Sequence, residues 1–284
     1  MSRPRLVGRP LFHILLVAYS VFTFAPFLWL VSSSFQTQAD LLGGSITVIP
    51  LRPTGEHYIR LFTSSRDPEF QTATFLLATR NSFLVAMATT LVSMMLGTPA
   101  AYAFARLRFW GSRPLLLSSL ALQLLPSIAV VIPLFLIMRS LGLINTRIGL
   151  TAAYTVFSLP FVIWIMHGYF QTIPRELEDA ARIDGCTRVG ALRRITLPLA
   201  APGLAATAVF VFFGAWDEFL YALILTTSYA SKTLPIALAE FIGRFTIDWG
   251  AMTSGAVIAS LPPVIMALLF QRYLVTGLTS GGLR

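Results

Sequence analysis

The chain has 284 residues, 56% of them hydrophobic and only 12% charged, with a formal net charge of +9. Such a composition excludes an ordinary soluble domain, and the gathering of apolar residues into long blocks marks a polytopic membrane protein. The one cysteine, Cys186, rules out an intrachain disulfide.

Six blocks are long enough for a hydrocarbon core that takes about 20 helical residues to cross. They lie at approximately Leu11–Ser33, Asn81–Ala105, Pro114–Met138, Ile148–Phe170, Ala201–Leu225 and Ala251–Leu274. Each is continuously apolar rather than alternating, so helices are expected and barrel strands are not. The fold class is an all-α membrane protein with six transmembrane helices. The first block is longer than the roughly 7–15-residue core of a signal peptide and has no small-residue cleavage site, so it is expected to stay as a span.

With six spans and both ends on one side, that side carries Arg3, Arg5, Arg9, Arg106, Arg108, Arg113, Arg175, Arg182, Arg188, Arg193, Arg194, Arg272 and Arg284. The loops there are short, so the positive-inside rule places both termini and the loop at about 171–200 in the cytosol. The net charge thus has a membrane explanation. No basic patch interleaves with aromatics outside the spans, and no nucleic-acid partner is expected.

Two loops face the other way, at about 34–80 and 226–252. The first mixes Asp40, Arg52, Glu56, Arg60, Arg66, Asp67 and Glu69 with turn-forming Pro50, Pro53 and Pro68, and reads as a small ordered piece. The second has helical apolar spacing from Leu234 to Phe245. Each is either a solvated lid or a docking surface for a soluble binding protein. No internal repeat or separate soluble domain is evident, so residues 1–284 read as a single transmembrane domain.

The cytosolic loop is the most charged stretch: Glu178-Asp179-Ala180-Ala181-Arg182-Ile183-Asp184-Gly185, then Ile195-Thr196-Leu197-Pro198. Thr172 is placed to cap a short helix, Pro174 suits its first turn, and Glu176, Glu178 and Asp179 lie at the positive end of its dipole. Gly185 supplies a left-handed stop. Leu177, Ala181 and Asp184 share one side at helical spacing. A second short helix is expected, capped by Thr187 and ended before Pro198. The local chemistry fits either a docking helix or an amphipathic linker on the headgroups.

Within the fifth block, Trp216-Asp217-Glu218-Phe219 places two carboxylates in lipid, at a few kcal/mol each on insertion scales. They should face a wet cavity or a neighbouring helix. Trp216, Phe219 and Tyr221 beside them offer the flat faces and donors of a sugar site; interhelical packing is the alternative. His167, alone on an apolar helix, reads as a packing residue. Gly97 and Ala101, four apart, permit close helix contact. No phosphate loop, metal cluster or nucleophile constellation occurs, so no catalytic residue, metal or cofactor is assigned to this chain.

The charged loop resembles the EAA loop of ABC-importer permeases: Glu-Ala-Ala, three residues, Gly, nine residues, Ile, one residue, Leu-Pro. Asp179, Ala180, Ala181, Gly185, Ile195, Leu197 and Pro198 fall on that pattern with its spacing intact. The family glutamate is Asp179 here, with Glu178 beside it, which leaves open which acid meets a partner. The likeness extends through Ala101-Tyr102-Ala103-Phe104-Ala105-Arg106, Gly142-Leu143-Ile144-Asn145-Thr146, Trp216-Asp217-Glu218-Phe219 and Gln271 to Gly282. In order and spacing these are similar to sugar-importer permeases of the maltose-system type, the MalG-like half, although the family usually has asparagine where Asp217 stands.

That resemblance implies a MetI-like, type I importer permease of a bacterial or archaeal cytoplasmic membrane. It implies a MalF-like second permease, two ABC ATPase subunits holding ATP and magnesium, and an extracytoplasmic sugar-binding protein or lipoprotein. Glu178, Asp179, Ala180, Ala181, Asp184, Gly185, Ile195, Leu197 and Pro198 would couple to the ATPase; Trp216, Asp217, Glu218, Phe219 and Tyr221 are candidates for the substrate path. The substrate expected is a di- or oligosaccharide, with a glycerol-phosphate-type solute as the alternative. A stand-alone secondary transporter would need inverted repeats and broken midplane helices, for which the sequence gives no sign. A membrane scaffold that only anchors an ATPase would need no polar cavity.

Overall fold

The computed structural model describes residues 8–43, 49–50, 52–63, 72–243 and 247–280. Arg3, Arg5, Arg66, Asp67, Pro68, Glu69, Arg244, Phe245, Gly281, Gly282 and Arg284, named above, lie outside them. The described residues are mostly helical, with one isolated antiparallel bridge between Ile242 and Ile247. In order they form α1 (Gly8–Ser34), α2 (Gln38–Leu42), α3 (Glu56–Phe62), α4 (Thr72–Arg106), α5 (Ser112–Gln123), α6 (Ser127–Ser140) and α7 (Arg147–Thr172). There follow α8 (Arg175–Ile183), α9 (Arg188–Ala191), a π-helical turn (Leu192–Thr196), α10 (Leu197–Leu199), α11 (Ala201–Trp216), α12 (Leu220–Leu225), α13 (Leu234–Ala239) and α14 (Trp249–Ser280).

Four helices are long and apolar enough to cross a membrane unbroken: α1, α4, α7 and α14. The other two expected spans are interrupted. The Pro114–Met138 block is not one helix: α5 and α6 meet at 100°. Pro126 has no N–H to give and drives Leu125 out of the helical region, so the ladder stops there. The Ala201–Leu225 block breaks at 217–219, between α11 and α12. Sixteen helical residues reach about 24 Å, short of a hydrocarbon core of about 30 Å; α11 is long and apolar enough to cross only when taken with Arg188–Leu199, from which it is bent by 77°.

The chain forms two compact units, Met1–Ala73 with Leu238–Ser260 and Thr74–Ala237 with Leu261–Arg284. In the first, α2 and α3 are an ordered outer piece. Gln38 donates to the Ile247 carbonyl at 2.8 Å and accepts from the Gly250 N–H at 3.1 Å. Arg60 pairs with Asp248 at 3.1 Å, and the other Asp248 oxygen caps the Ala251 N–H. From Phe12 to Val31 no side chain of α1 is buried. A helix apolar all round and covered by nothing of its own chain presents its surface to lipid or to another subunit.

The second unit is built on α4, α7 and α11. Ala101, Tyr102 and Ala105 pack with Val162, Met166, Phe170, Ile173, Ala200 and Val211 into one buried cluster. At Gly97 a Cβ would lie 2.6 Å from the Val162 side chain, so α4 approaches α7 there only because the residue is glycine. At the outer end, Asn145 holds a left-handed conformation (φ 59°). Its Oδ1 accepts from the Thr227 and Ser228 N–H groups and the Ser231 hydroxyl, while its own N–H donates to the Leu225 carbonyl. Asn81 donates to the carbonyls of Ala230 and Lys232, fixing the same loop from α4.

Asn145→Ala removes that acceptor and forfeits the tolerance of asparagine for positive φ. It is expected to destabilise the second unit by on the order of 2 kcal/mol, seen as a lower unfolding midpoint of the detergent-purified protein; an unchanged midpoint would show the loop to be held otherwise.

Candidate coupling site

The charged loop folds back on the ends of the membrane helices. Helix α7 runs through Thr172, whose hydroxyl donates to the Tyr169 carbonyl, so Thr172 does not cap the next helix as expected. Helix α8 begins at Arg175 with Pro174 at the N-cap position and no side-chain cap. It ends at Asp184, and Gly185 turns the chain at φ 91°. Thr187 then caps α9 by accepting from the Gly190 N–H at 3.1 Å. The helical path does not stop before Pro198. It continues through the π-helical turn into α10, with Pro198 in the first turn of α10.

The two adjacent acids, about 100° apart around the helix, meet different surroundings. Glu178 is buried and accepts three hydrogen bonds: Tyr102 Oη at 2.8 Å, Arg106 Nε at 2.8 Å and Thr196 Oγ1 at 2.9 Å. The Arg106–Glu178 pair is withdrawn from solvent, with side chains 6% and 9% exposed. Arg106 also donates to the Ile173 carbonyl at 2.8 Å, and Arg175 reaches back from α8 to the Ala105 carbonyl at 3.0 Å. One arginine thus crosses from α4 to the start of the loop, and another from the loop to the end of α4. Removing one partner of such a pair leaves an uncompensated buried charge, which costs about 3–5 kcal/mol.

Asp179 faces solvent, its side chain 65% exposed. Its contact with Arg182, at 3.6 Å and on the surface, contributes little. Ala180, Asp184 and Gly185 are exposed with it, while Ala181 is buried against the body of the unit. The residues of α8 that turn inward are Glu178 and Ala181. Ile195 and Leu197 are half-buried and Pro198 is exposed. The outward face carries Leu177, Ile183 and Val189, 45%, 87% and 58% exposed, among Asp179, Arg182 and Asp184. Large apolar side chains ringed by charge have the composition of a protein contact. Tyr102, Arg106 and Thr196 were missed from the sequence. The signal was a tyrosine and an arginine four apart at the end of an apolar helix, hence on one face of it.

The second group of candidates lies at the far end of α11. Asp217 and Glu218 do not sit on a continuous helix but in the break after Trp216. Glu218 accepts from the N–H groups of Tyr221 and Ala222 at 2.7 and 3.1 Å, satisfying donors that the start of α12 leaves free. Trp216 is buried and stacks on Phe212, with centroids 5.8 Å apart. Tyr221 is buried and stacks on Phe157 at 4.7 Å. Only Asp217 and Phe219 of the five are exposed on this chain. The two groups of candidates stand the length of α11 apart, about 24 Å.

Residues 93–280 match the family model described as "Binding-protein-dependent transport system inner membrane component". The chain belongs to this family. It is 37% identical to the sulfoquinovosyl glycerol transport system permease protein SmoH of Agrobacterium fabrum, over 98% of this chain and 94% of that one. It is 36% identical to the trehalose/maltose transport system permease protein MalG of Thermococcus litoralis, over 99% of each. To the trehalose transport system permease protein SugB of Mycobacterium tuberculosis it is 39% identical, over 95% and 94%. Among solved structures, a chain of a bacterial ABC transporter involved in alginate import superposes with a TM-score of 0.79 at 22% identity, covering 96% of this chain and 98% of that one. The chain is thus a multi-pass permease of the cytoplasmic membrane, with the importer permease fold.

For this permease, Glu178→Gln should lower stability by about 3 kcal/mol, since Arg106 is left buried without its counter-charge. Asp179→Asn, two-thirds exposed, should change it by less than about 0.5 kcal/mol. Thermal unfolding of the two purified variants side by side tests the assignment; equal shifts would contradict it.

Proposed function

We propose that this chain is the membrane-spanning subunit of an ABC importer for a sugar, most simply a di- or oligosaccharide, handed over by an extracytoplasmic binding protein. A second permease completes the translocation path, and two ATPase subunits beneath hold the ATP and magnesium. The observation that carries the reading is the outward face of α8: a solvent-facing carboxylate, Asp179, among exposed apolar side chains, on a helix whose opposite face is locked to α4. The names of the relatives narrow the cargo, since SmoH, MalG and SugB are each described as moving a glycoside. The unburied surface of α1 suits a neighbouring subunit as well as lipid.

In this mechanism Asp179 meets a basic group of the ATPase while Leu177 and Ile183 fill its cleft. When the ATPase subunits close on ATP, α8 moves with them. Glu178 and Arg106 carry that displacement into α4, and the permease pair exchanges inward- and outward-facing states. ATP and the loaded binding protein act together only if both bind the same state more tightly; the coupling is that difference in affinity. Glu218 holds the α11–α12 break, and Asp217 and Phe219 are the members of its group left open to a passing solute.

The complex copurified with this chain, reconstituted in vesicles with maltose- or trehalose-loaded binding protein, is expected to hydrolyse ATP faster and accumulate the sugar. Asp179→Asn should lower stimulated hydrolysis and uptake together by about tenfold, the worth of one hydrogen bond to a charged group. Uptake by this chain alone, or normal stimulation in the variant, would overturn the reading.

A further inference from the structure

Beneath the end of α4 the chain turns through 107–111 into α5 and encloses an open cavity of about 510 Å³. Its lining includes Phe104, Arg106, Arg108, Phe109, Trp110 and Arg175. Arg106 is neutralised by Glu178. Among the described residues no acid pairs with Arg108 or with Arg175, whose guanidinium donates to the neutral Ala105 carbonyl. The cavity therefore holds two guanidinium charges without compensation. Both residues are exposed, so an entering anion can reach both, and a guanidinium fork matches a phosphate oxygen pair.

The place of the cavity says where the phosphate comes from. It lies where one membrane helix ends and the next begins, on the side that gathers the arginines, so it stands at the headgroup level of the cytoplasmic leaflet. Trp110, on the rim, is 99% exposed, an extreme value for tryptophan in water and the usual one for an interfacial anchor. Beyond it, Leu115 and Leu122, seven residues apart and so on one face of α5, are 54% and 56% exposed and apolar, a track for acyl chains. We propose that this cavity binds the phosphodiester headgroup of an anionic phospholipid between Arg108 and Arg175, with Trp110 at the glycerol level and the chains along α5. A zwitterionic lipid brings its own cation and leaves the two arginines uncompensated, so the site selects for net negative charge.

The test is lipid retention by the purified, fully assembled transporter, read by native mass spectrometry after exchange into mixed phosphatidylglycerol and phosphatidylcholine. Wild type is expected to keep phosphatidylglycerol in preference to phosphatidylcholine. Arg108→Gln should lower that retention by about fivefold, the factor one arginine near an anionic surface supplies, and Arg108→Lys should restore part of it, since it returns the charge without the fork. Retention that survives excess inorganic phosphate supports a lipid; displacement by phosphate alone would make the cavity a site for the free ion and overturn the proposal. Equal retention of both lipids, or unchanged retention in Arg108→Gln, also overturns it. So does loss of the ATPase subunits from that variant with phosphatidylglycerol still bound, which would mark Arg108 as a protein contact.

Discussion

The structure depends on one buried interaction, the pair of Arg106 and Glu178. Neither group is stable by itself beneath the membrane helices. Arg106 is compensated by Glu178, and Glu178 is completed by Tyr102 and Thr196. The four residues come from α4, α8 and the turn before α10, so a single carboxylate ties the loop to the bundle at both of its ends. An apolar cluster could have held these elements equally tightly. A charged network holds them in one register, since a slip of one residue would strand the charge. The π-helical turn belongs to the same arrangement: Thr196, its last residue, is fully buried and donates to Glu178. The alanines fit the same logic, because Ala181 lets α8 lie close enough for Glu178 to reach inward while the next face stays free.

The interrupted helices follow a second constraint, that backbone groups in lipid must be satisfied. At the α11–α12 break Glu218 takes over two N–H groups that a continuous helix would have bonded. Two adjacent acids are costly in a membrane span when the helix is unbroken. In a break, one of them replaces missing backbone acceptors and the other is exposed. The same accounting holds at the outer end, where Asn145 and Asn81 satisfy a loop that has no regular structure of its own.

Much of this was legible in the sequence because its causes are local. Apolar blocks marked the membrane helices, four of which run unbroken. Gly185 has the left-handed geometry expected of it, and Thr187 caps α9. The misses have non-local causes. That Glu178 turns inward depends on Tyr102 and Arg106, more than seventy residues earlier. The break at Pro126 was signalled by the proline, but proline is tolerated inside α4, α6 and α7, so the signal alone did not decide. Thr172 looked like a cap because the start of α8 could not be told from the end of α7.

Joined by Glu178 and Arg106, α8 and α4 are expected to move as one body. The direct measurement is the distance between spin labels at Ile183 on α8 and Met95 on α4, both exposed, in the assembled transporter with and without trapped ATP. The distance is expected to be the same in both states, and broadened and state-dependent when Arg106 is replaced by methionine. A shift of about 5 Å, one helical turn, between the states of the unmodified network would contradict it.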